Sequence, residues 1–175
     1  MILTPALDSD IDDIAALVNG AYRGDGAKAG WTHEADYIGG QRTDPAALRA
    51  DLAANPQALL LTHRDRPDGP LLACVWLEPL DEPGIWYLGM LTVRPDLQDR
   101  KLGRDVLAAA EIYAASQGAH RIRMTVVSVR DTLIAWYERR GYRLTGETRP
   151  FPYDDHRFGV PRRDDLEFVV LEKPL

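Results

Sequence analysis

Basic residues concentrate where an apolar segment ends and a helical pattern begins, within residues 91–104. Arg100, Lys101 and Arg104 place three cations at the expected start of this helix. Free backbone N–H groups at a helix N-terminus, together with the helix dipole, bind anions such as phosphate. The segment therefore predicts a phosphate-binding turn, while a solvated basic turn before an ordinary helix would show the same residues.

Carboxylates that could accept a proton or hold an amine form a second group of candidates. Glu78 lies near the end of an apolar strand pattern and is a candidate general base, with an exposed strand-end carboxylate as the alternative. Two long polar segments, residues 23–43 and 150–165, carry the candidates for binding an amine, namely Glu34, Asp36, Tyr153, Asp154 and Asp155. Solvated loop residues are the alternative interpretation of this set.

The charge balance and the cysteine content limit the partners. The 175 residues include 21 Lys and Arg against 27 Asp and Glu, a net charge of −6, which disfavours nucleic acid and favours cationic acceptors. Cys74 is the single cysteine and lies in an apolar run, so we expect it in the core. The four histidines lack the spacing of metal ligands, so we expect no metal. Without a secretory leader or an apolar run of roughly 18 residues, we expect no membrane partner and a cytoplasmic location.

The elements that must position these residues follow from the hydrophobic period. Helical spacing predicts helices over residues 8–22, 44–54, 96–117 and 131–139, and short apolar or alternating runs predict strands over residues 2–4, 58–62, 70–80, 85–93, 121–127, 142–145 and 167–171. The three strands between residues 58 and 93 should form an antiparallel meander. The following strand–helix–strand unit requires a right-handed crossover between parallel strands, so the sheet should be mixed. A chain of this length fits a single domain over residues 1–175.

Two segments resemble the GNAT superfamily of acyl-CoA-dependent N-acyltransferases. Residues 98–103, Gln-Asp-Arg-Lys-Leu-Gly, occupy the place of the family's Gln/Arg-x-x-Gly-x-Gly/Ala signature after a strand and Val-Arg-Pro. Residues 137–142, Tyr-Glu-Arg-Arg-Gly-Tyr, resemble the family's Tyr-x-x-x-Gly-Phe/Tyr at a helix end. Lys101 stands where the family's first Gly is usual, at a cost on the order of 1 kcal/mol if the backbone there is left-handed. Arg130 stands where Asn is frequent, and an arginine can pair with a CoA phosphate.

The resemblance implies a fold and a set of site residues. The fold is α/β, with a six- to seven-stranded mixed, mostly antiparallel sheet, a central splayed parallel pair and about four flanking helices. Acetyl-CoA is implied as cosubstrate, without a metal, and the residues implied to bind it are Leu91, Thr92, Val93, Gln98, Asp99, Arg100, Lys101, Leu102, Gly103, Arg104 and Arg130. A backbone N–H near Met90 or Leu91 would polarise the thioester carbonyl, with Gly89 as the bulge residue.

Tyr137 is implied as the residue that meets the departing thiolate. The pKa of a tyrosine, about 10, lies above that of a thiol, about 8.5. Full proton transfer from Tyr137 is therefore uphill, and we expect the residue to act mainly by hydrogen-bonding the developing thiolate.

The function expected from these features is transfer of an acetyl or related acyl group from acetyl-CoA to the primary amine of a small molecule, by direct attack in a ternary complex. Acylation of a peptide N-terminus or a protein lysine is the alternative among enzymes. A non-catalytic acyl-CoA sensor is the alternative from another class, because Lys101 and Arg130 depart from the family pattern. The fold also allows a homodimer.

Overall fold

Alternating strands and helices build one main sheet, seen in a computed structural model that describes every residue except the side chain of Asp99. The strands, in chain order, are Thr4–Pro5 (β1), Ile38–Gly39 (β2), Leu59–Arg64 (β3), Leu71–Pro79 (β4), Ile85–Val93 (β5), Arg121–Val127 (β6), Arg143–Pro150 (β7), Val160–Pro161 (β8) and Glu167–Pro174 (β9). The helices are Ile11–Tyr22 (α1), Gly24–Ala27 (α2), Pro45–Ala54 (α3), Leu102–Ser116 (α4) and Asp131–Glu138 (α5).

Seven of the strands within the described residues form the main sheet, in the order β1-β3-β4-β5-β6-β9-β7. Only β5 and β6 pair in parallel, because α4 carries the chain across one face of the sheet between them. The predicted mixed, mostly antiparallel sheet with a central parallel pair is therefore confirmed.

Helices cover both faces of this sheet. On one face, Val106, Leu107 and Ala110 of α4 belong to a buried cluster with strand residues such as Leu77 and Ile122. On the other face, the predicted apolar stripe of α1 packs with α3 and with residues of β3 and β4, including Ile14, Val18, Leu48, Leu60 and Cys74. Burial raises the pKa of the Cys74 thiol to about 12, so this cysteine is a core residue, as expected.

The predicted helix after Pro95 begins later than expected. Pro95–Arg100 form a 3₁₀ turn, and Lys101, with φ 64°, separates this turn from α4. A left-handed residue cannot continue a right-handed helix. Lys101 therefore marks the boundary between this turn and α4.

The parallel pair is splayed. Pairing joins Ile85–Tyr87 of β5 to residues 121–123 of β6 and does not extend to the ends of these strands. On the other side of β5, Met90 and Leu91 together oppose Val75, and Met90 has φ 49°. This β-bulge lies one residue later than predicted, because Gly89 keeps its pairing with Trp76.

Two short strands that the sequence does not reveal join the long polar segments. β2 and β8 form a separate antiparallel pair, with Ile38 opposite Pro161 and Gly39 opposite Val160. Each strand is two residues long, too short for an alternating pattern to be seen. Within the described residues, no helix has the length and the hydropathy that a bilayer-spanning segment needs.

Candidate active site

Two cavities meet in the gap between β5 and β6. The first, which we call the α4 cavity, has a volume of about 280 Å³ and lies at the N-terminus of α4. The second, which we call the loop cavity, has a volume of about 330 Å³ and lies beneath the two long loops. Five residues line both cavities: Tyr22, Leu91, Arg130, Leu133 and Tyr137. The two cavities therefore adjoin at these residues.

Most of the predicted cofactor-binding residues line the α4 cavity. They are Leu91, Thr92, Val93, Gln98, Lys101, Gly103, Arg104 and Arg130. Arg100 is exposed and outside the lining, and Leu102 packs against the core. The side chain of Asp99 lies outside the described residues. Residues of the sequence motif therefore form one wall of the α4 cavity.

Arg140 is a residue of this cavity that the sequence analysis missed. Its guanidinium carbon lies 3.6 Å from the centroid of the Trp136 ring, and its Nη1 donates to the Trp136 carbonyl oxygen at 2.6 Å. Together with Lys101, Arg104 and Arg130, it gives this cavity four cationic side chains. The one sequence signal for Arg140 was its position just before Gly141, the last residue of the Tyr-x-x-x-Gly motif.

The polar atoms of the α4 cavity fit a polyanionic cofactor. Gln98 Oε1 and Arg140 Nε are both buried without a hydrogen-bond partner among the described residues. A buried polar group without a partner is costly unless a ligand supplies one. The unpaired acceptor, the unpaired donor and the four cations match the polar groups and phosphates of coenzyme A, and apolar residues such as Val93 and Leu133 match its uncharged arm.

Tyr137 stands at the meeting point of the cavities. Its side chain is buried, and the Trp136 and Tyr142 rings hold it edge-on at centroid distances of 5.0 and 5.6 Å. Burial raises the pKa of its hydroxyl, and nearby Tyr22 adds to the effect. No described residue accepts a hydrogen bond from this hydroxyl. A protonated phenol is therefore available as a donor where the two cavities join.

Glu34 lies in the wall of the loop cavity, where both of its carboxylate oxygens are occupied. Oε2 accepts from Arg23 Nη2 at 3.1 Å, and Oε1 accepts from Arg130 Nη1 at 2.9 Å. Arg130 Nη2 also donates to Thr32 Oγ1 at 2.7 Å. Burial alone would raise the pKa of Glu34, but Arg130, Arg42 and Arg23 outweigh it and leave the pKa below its ordinary value. The carboxylate is therefore ionised and already paired.

Arg42, a second residue that the sequence analysis missed, lies in the same wall. Its guanidinium carbon lies 4.5 Å from the centroid of the Tyr22 ring. Its Nε is buried without a partner, and none of its side-chain nitrogens bonds to a described residue. No motif surrounds Arg42 in the sequence, so only the fold reveals its place.

The two long loops close the loop cavity together. Arg23 Nη1 donates to the Phe158 carbonyl oxygen at 2.8 Å, and Arg162 Nη1 donates to the Ala35 carbonyl oxygen at 3.1 Å. Phe151 and Phe158 line the cavity from the second loop. The two loops that carry the candidates for binding an amine therefore flank the same cavity.

Glu78 faces a recess beside the loop cavity. Its Oε2 accepts from Asn55 Nδ2 at 2.5 Å and from Trp76 Nε1 at 3.0 Å. This recess shares Arg42, Tyr87, Gly89, Met90 and Phe158 with the loop cavity. The carboxylate thus lies next to the site but does not line the loop cavity itself.

The remaining candidates for binding an amine lie outside both cavities. Asp36 and Asp154 are exposed. Asp155 pairs with Arg157, whose hydrogen bonds lower the pKa of Asp155 to about 2. Tyr153 Oη accepts from the Leu166 backbone N–H at 2.7 Å and so fixes the loop. Within the described residues, no group of three or more His, Cys, Asp or Glu could hold a metal ion.

Solved structures of similar fold include several acetyltransferases. Nourseothricin acetyltransferase is 21% identical with a TM-score of 0.56, and the match covers 68% of this chain and 66% of that one. The ribosomal-protein-alanine N-acetyltransferase of Brucella melitensis is 14% identical with a TM-score of 0.69 over 100% of both chains. An aminoglycoside 6′-N-acetyltransferase complexed with coenzyme A is 15% identical with a TM-score of 0.68, over 99% of this chain and 97% of that one. At these identities the likeness shows the fold alone.

The sequence comparisons agree with the fold. No curated protein matches the chain. The Acetyltransferase (GNAT) family matches residues 17–142, a span that holds the turn before α4, the bulge of β5 and Tyr137. Members of this family use acetyl-CoA. The chain belongs to the GNAT family of acetyltransferases.

Proposed function

We propose that this protein transfers an acetyl group from acetyl-CoA to the primary amine of a small molecule, by direct attack of the amine while both substrates are bound. The observation that carries the proposal is the meeting of the α4 cavity and the loop cavity at Tyr137 and Leu91 in the splayed gap. The α4 cavity fits the cosubstrate, and the loop cavity leaves space for the acceptor beneath the two long loops.

The residues of the α4 cavity would hold acetyl-CoA, which supplies the acyl group as an activated thioester. Lys101, Arg104 and Arg140 would bind its phosphates, and Gln98 would accept a hydrogen bond from its amide groups. Tyr137 would donate its hydroxyl hydrogen toward the departing sulfur. The raised pKa of Tyr137 makes it a hydrogen-bond donor rather than a full proton donor.

The amine must lose a proton before it attacks. An alkylamine with a pKa near 10.4 is only about 0.04% neutral at pH 7, so forming the neutral amine costs roughly 4 to 5 kcal/mol. Glu78 would accept this proton through water, because it lies in the recess beside the loop cavity. Its bonds from Asn55 and Trp76 hold the carboxylate in place.

The closed loops favour a small acceptor over a protein. The β2–β8 pair and the Arg23–Phe158 hydrogen bond hold the loops over the loop cavity. The volume of about 330 Å³ is in the range of small-molecule sites. A lysine on a folded protein would need an open groove at this place.

Calorimetric titration with acetyl-CoA, CoA and dephospho-CoA, followed by a thiol-release assay with a panel of amines, tests the proposal. We expect micromolar binding of acetyl-CoA that Lys101→Glu weakens at least tenfold. Arg66→Glu makes the same charge change outside both cavities and should leave binding unchanged. Absence of binding would overturn the proposal. Binding without thiol release from any amine would overturn catalysis and leave a sensor.

A further inference from the structure

We infer that the acceptor amine also carries a carboxylate or an equivalent oxyanion, held by Arg42 and Arg130, together with an apolar body. Apolar α-amino acids are the class that fits. The inference rests on the proposed function and names its acceptor. Net charge alone favours a cationic acceptor, so the inference depends on the local charges of the loop cavity.

The charges that line the loop cavity are mostly positive. Arg23, Arg42 and Arg130 face a single carboxylate, Glu34. Three guanidinium groups and one carboxylate give the lining of the loop cavity a net charge of +2. An acceptor that brought only an ammonium group would add a like charge to this space, whereas a carboxylate would balance part of it.

Two of these guanidinium groups keep unused donors. Arg23 donates to one oxygen of Glu34 and Arg130 to the other, whereas the Arg42 side chain donates to neither. The Nε atoms of Arg42 and Arg130 are buried and have no hydrogen-bond partner in the part of the chain that the structure describes. Both guanidinium carbons lie within 6 Å of the Tyr22 ring centroid, at 4.5 and 5.6 Å. Both arginines with unused donors therefore lie near Tyr22, one of the residues that line both cavities.

The chemistry of arginine indicates what these donors bind. The planar fork of a guanidinium matches the two oxygens of a carboxylate or another oxyanion. Glu34 and Tyr22 keep Arg42 charged, although burial alone would lower its pKa. The same positive field disfavours the ammonium form of a bound amine and so favours the neutral nucleophile.

Most of the remaining lining of the loop cavity is apolar. Its lining includes Ile38, Leu88, Met124, Val126, Phe151 and Phe168. These residues would bury an aliphatic or aromatic side chain of the acceptor. In the reaction, the base takes one proton from the ammonium group, and the neutral nitrogen then forms a bond to the acyl carbon while the carbon–sulfur bond breaks. The nitrogen loses a second proton as the amide forms, and this proton neutralises the thiolate. The products are an N-acetyl amino acid and the free thiol of CoA.

Thiol release from acetyl-CoA with matched acceptors tests the inference. Leucine, methionine and phenylalanine are compared with the amines that lack only their carboxylates, and with a polyamine. We expect kcat/KM to be at least about tenfold higher for each amino acid than for its matched amine, the size of a charge-assisted interaction. Arg42→Gln should remove most of this preference, and Arg42→Lys should restore part of it. Arg49→Gln, an exposed arginine on the nearby α3, should preserve the preference.

The outcomes separate this inference from the proposed function. Faster turnover of the carboxylate-free amines or of the polyamine would overturn the inference and leave the acetyltransferase in place. If no acceptor releases thiol, titration of N-acetylphenylalanine and N-acetylphenethylamine into the CoA-loaded protein decides the question. Tighter binding of the carboxylate, lost in Arg42→Gln, would support the inference, and equal binding would overturn it. Failure to bind acetyl-CoA at all would overturn the proposed function first.

Discussion

Tyr137 lies where the two cavities meet, and its hydroxyl donates no hydrogen bond to a described residue. Tyr137→Phe removes only this hydroxyl, so the fold and the binding of acetyl-CoA should survive. We expect kcat to fall by about 10²-fold, with the KM for acetyl-CoA changed less than threefold. Steady-state kinetics with the best amine measures both values. Unchanged turnover would remove Tyr137 from the mechanism.

Lys101 combines backbone strain with a charge at the cofactor cavity. Its φ of 64° costs a residue with a side chain about 1 kcal/mol. Glycine avoids this cost, but its greater freedom in the unfolded chain offsets part of the gain. Lys101→Gly should therefore raise the free energy of unfolding by up to about 1 kcal/mol and weaken acetyl-CoA binding. Denaturant unfolding and calorimetry measure the two effects.

Lys101→Ala is the matched control, because it loses the ammonium but keeps the strained backbone. We expect it to weaken acetyl-CoA binding as much as Lys101→Gly without the gain in stability. If Lys101→Gly bound acetyl-CoA as tightly as the wild type, the ammonium would have no role in the site.

Glu78 can be tested as the base through the pH profile. Glu78→Gln keeps both hydrogen-bonding neighbours, Asn55 and Trp76, and removes the basic oxygen. We expect kcat/KM for the amine to fall by about 10²-fold at pH 7 and the loss to shrink at high pH, where the free amine is already neutral. A uniform loss at all pH values would indicate a structural role.

The elements could be predicted better than the loops. The period of apolar residues identified α1, α3, α4, α5 and the strands from β3 to β6, because each of these elements buries one face. β2 and β8 were not predicted, since two residues show no period. Arg42 and Arg140 were missed for a different reason. The role of Arg42 depends on its contact with Tyr22, which is distant in the chain. Arg140 contacts the nearby Trp136, but its role depends on the cavity that the fold forms around it.

The docking of the two loops depends on Gly159. Its φ is 110°, and a Cβ at this position would overlap Arg23 Nη1 and the Gly39 carbonyl oxygen. Gly159→Ala should therefore separate the loops and open the loop cavity. We expect the KM for the amine to rise at least tenfold while the affinity for acetyl-CoA stays unchanged, which steady-state kinetics and calorimetry measure.

Gly146→Ala is the control for this prediction. Gly146 also has a positive φ, 87°, but a Cβ there would meet nothing within 4 Å. The substitution adds similar backbone strain on β7 without touching the loops. Equal effects of Gly146→Ala and Gly159→Ala on the KM for the amine would show that loop contact is not the cause.

At the scale of the whole molecule, charge is divided between surface and interior. The net charge is −6, yet the α4 cavity and the loop cavity are both lined by an excess of arginine and lysine. Many of the acidic residues instead form exposed pairs, such as Asp8 with Arg49 and Asp96 with Arg94. Net charge averages over the surface and the interior, and it therefore favoured a cationic acceptor. The cavity that would hold the acceptor is nevertheless lined by an excess of positive charge.

The buried ion pairs of Glu34 should control the acid stability of the molecule. Glu34→Gln leaves Arg23 and Arg130 without a counter-charge, and breaking a buried pair in this way costs about 3 to 5 kcal/mol. Asp8→Asn breaks only the exposed pair with Arg49 and should cost less than about 1 kcal/mol. Denaturant unfolding at pH 7 compares the two variants.

The pH dependence follows from the sign of the Glu34 shift. The pKa of Glu34 in the folded protein lies below its ordinary value of 4.5, chiefly because Arg130 and Arg42 outweigh the effect of burial. The ionised form therefore stabilises the fold fully above the unfolded pKa, and this stabilisation is lost as the pH falls through the folded pKa. The stability gap between wild type and Glu34→Gln should be constant from pH 6 to 8 and should narrow below about pH 4.5. A gap that stayed constant down to pH 3 would mean that packing, and not the charge of Glu34, holds the two loops to the sheet.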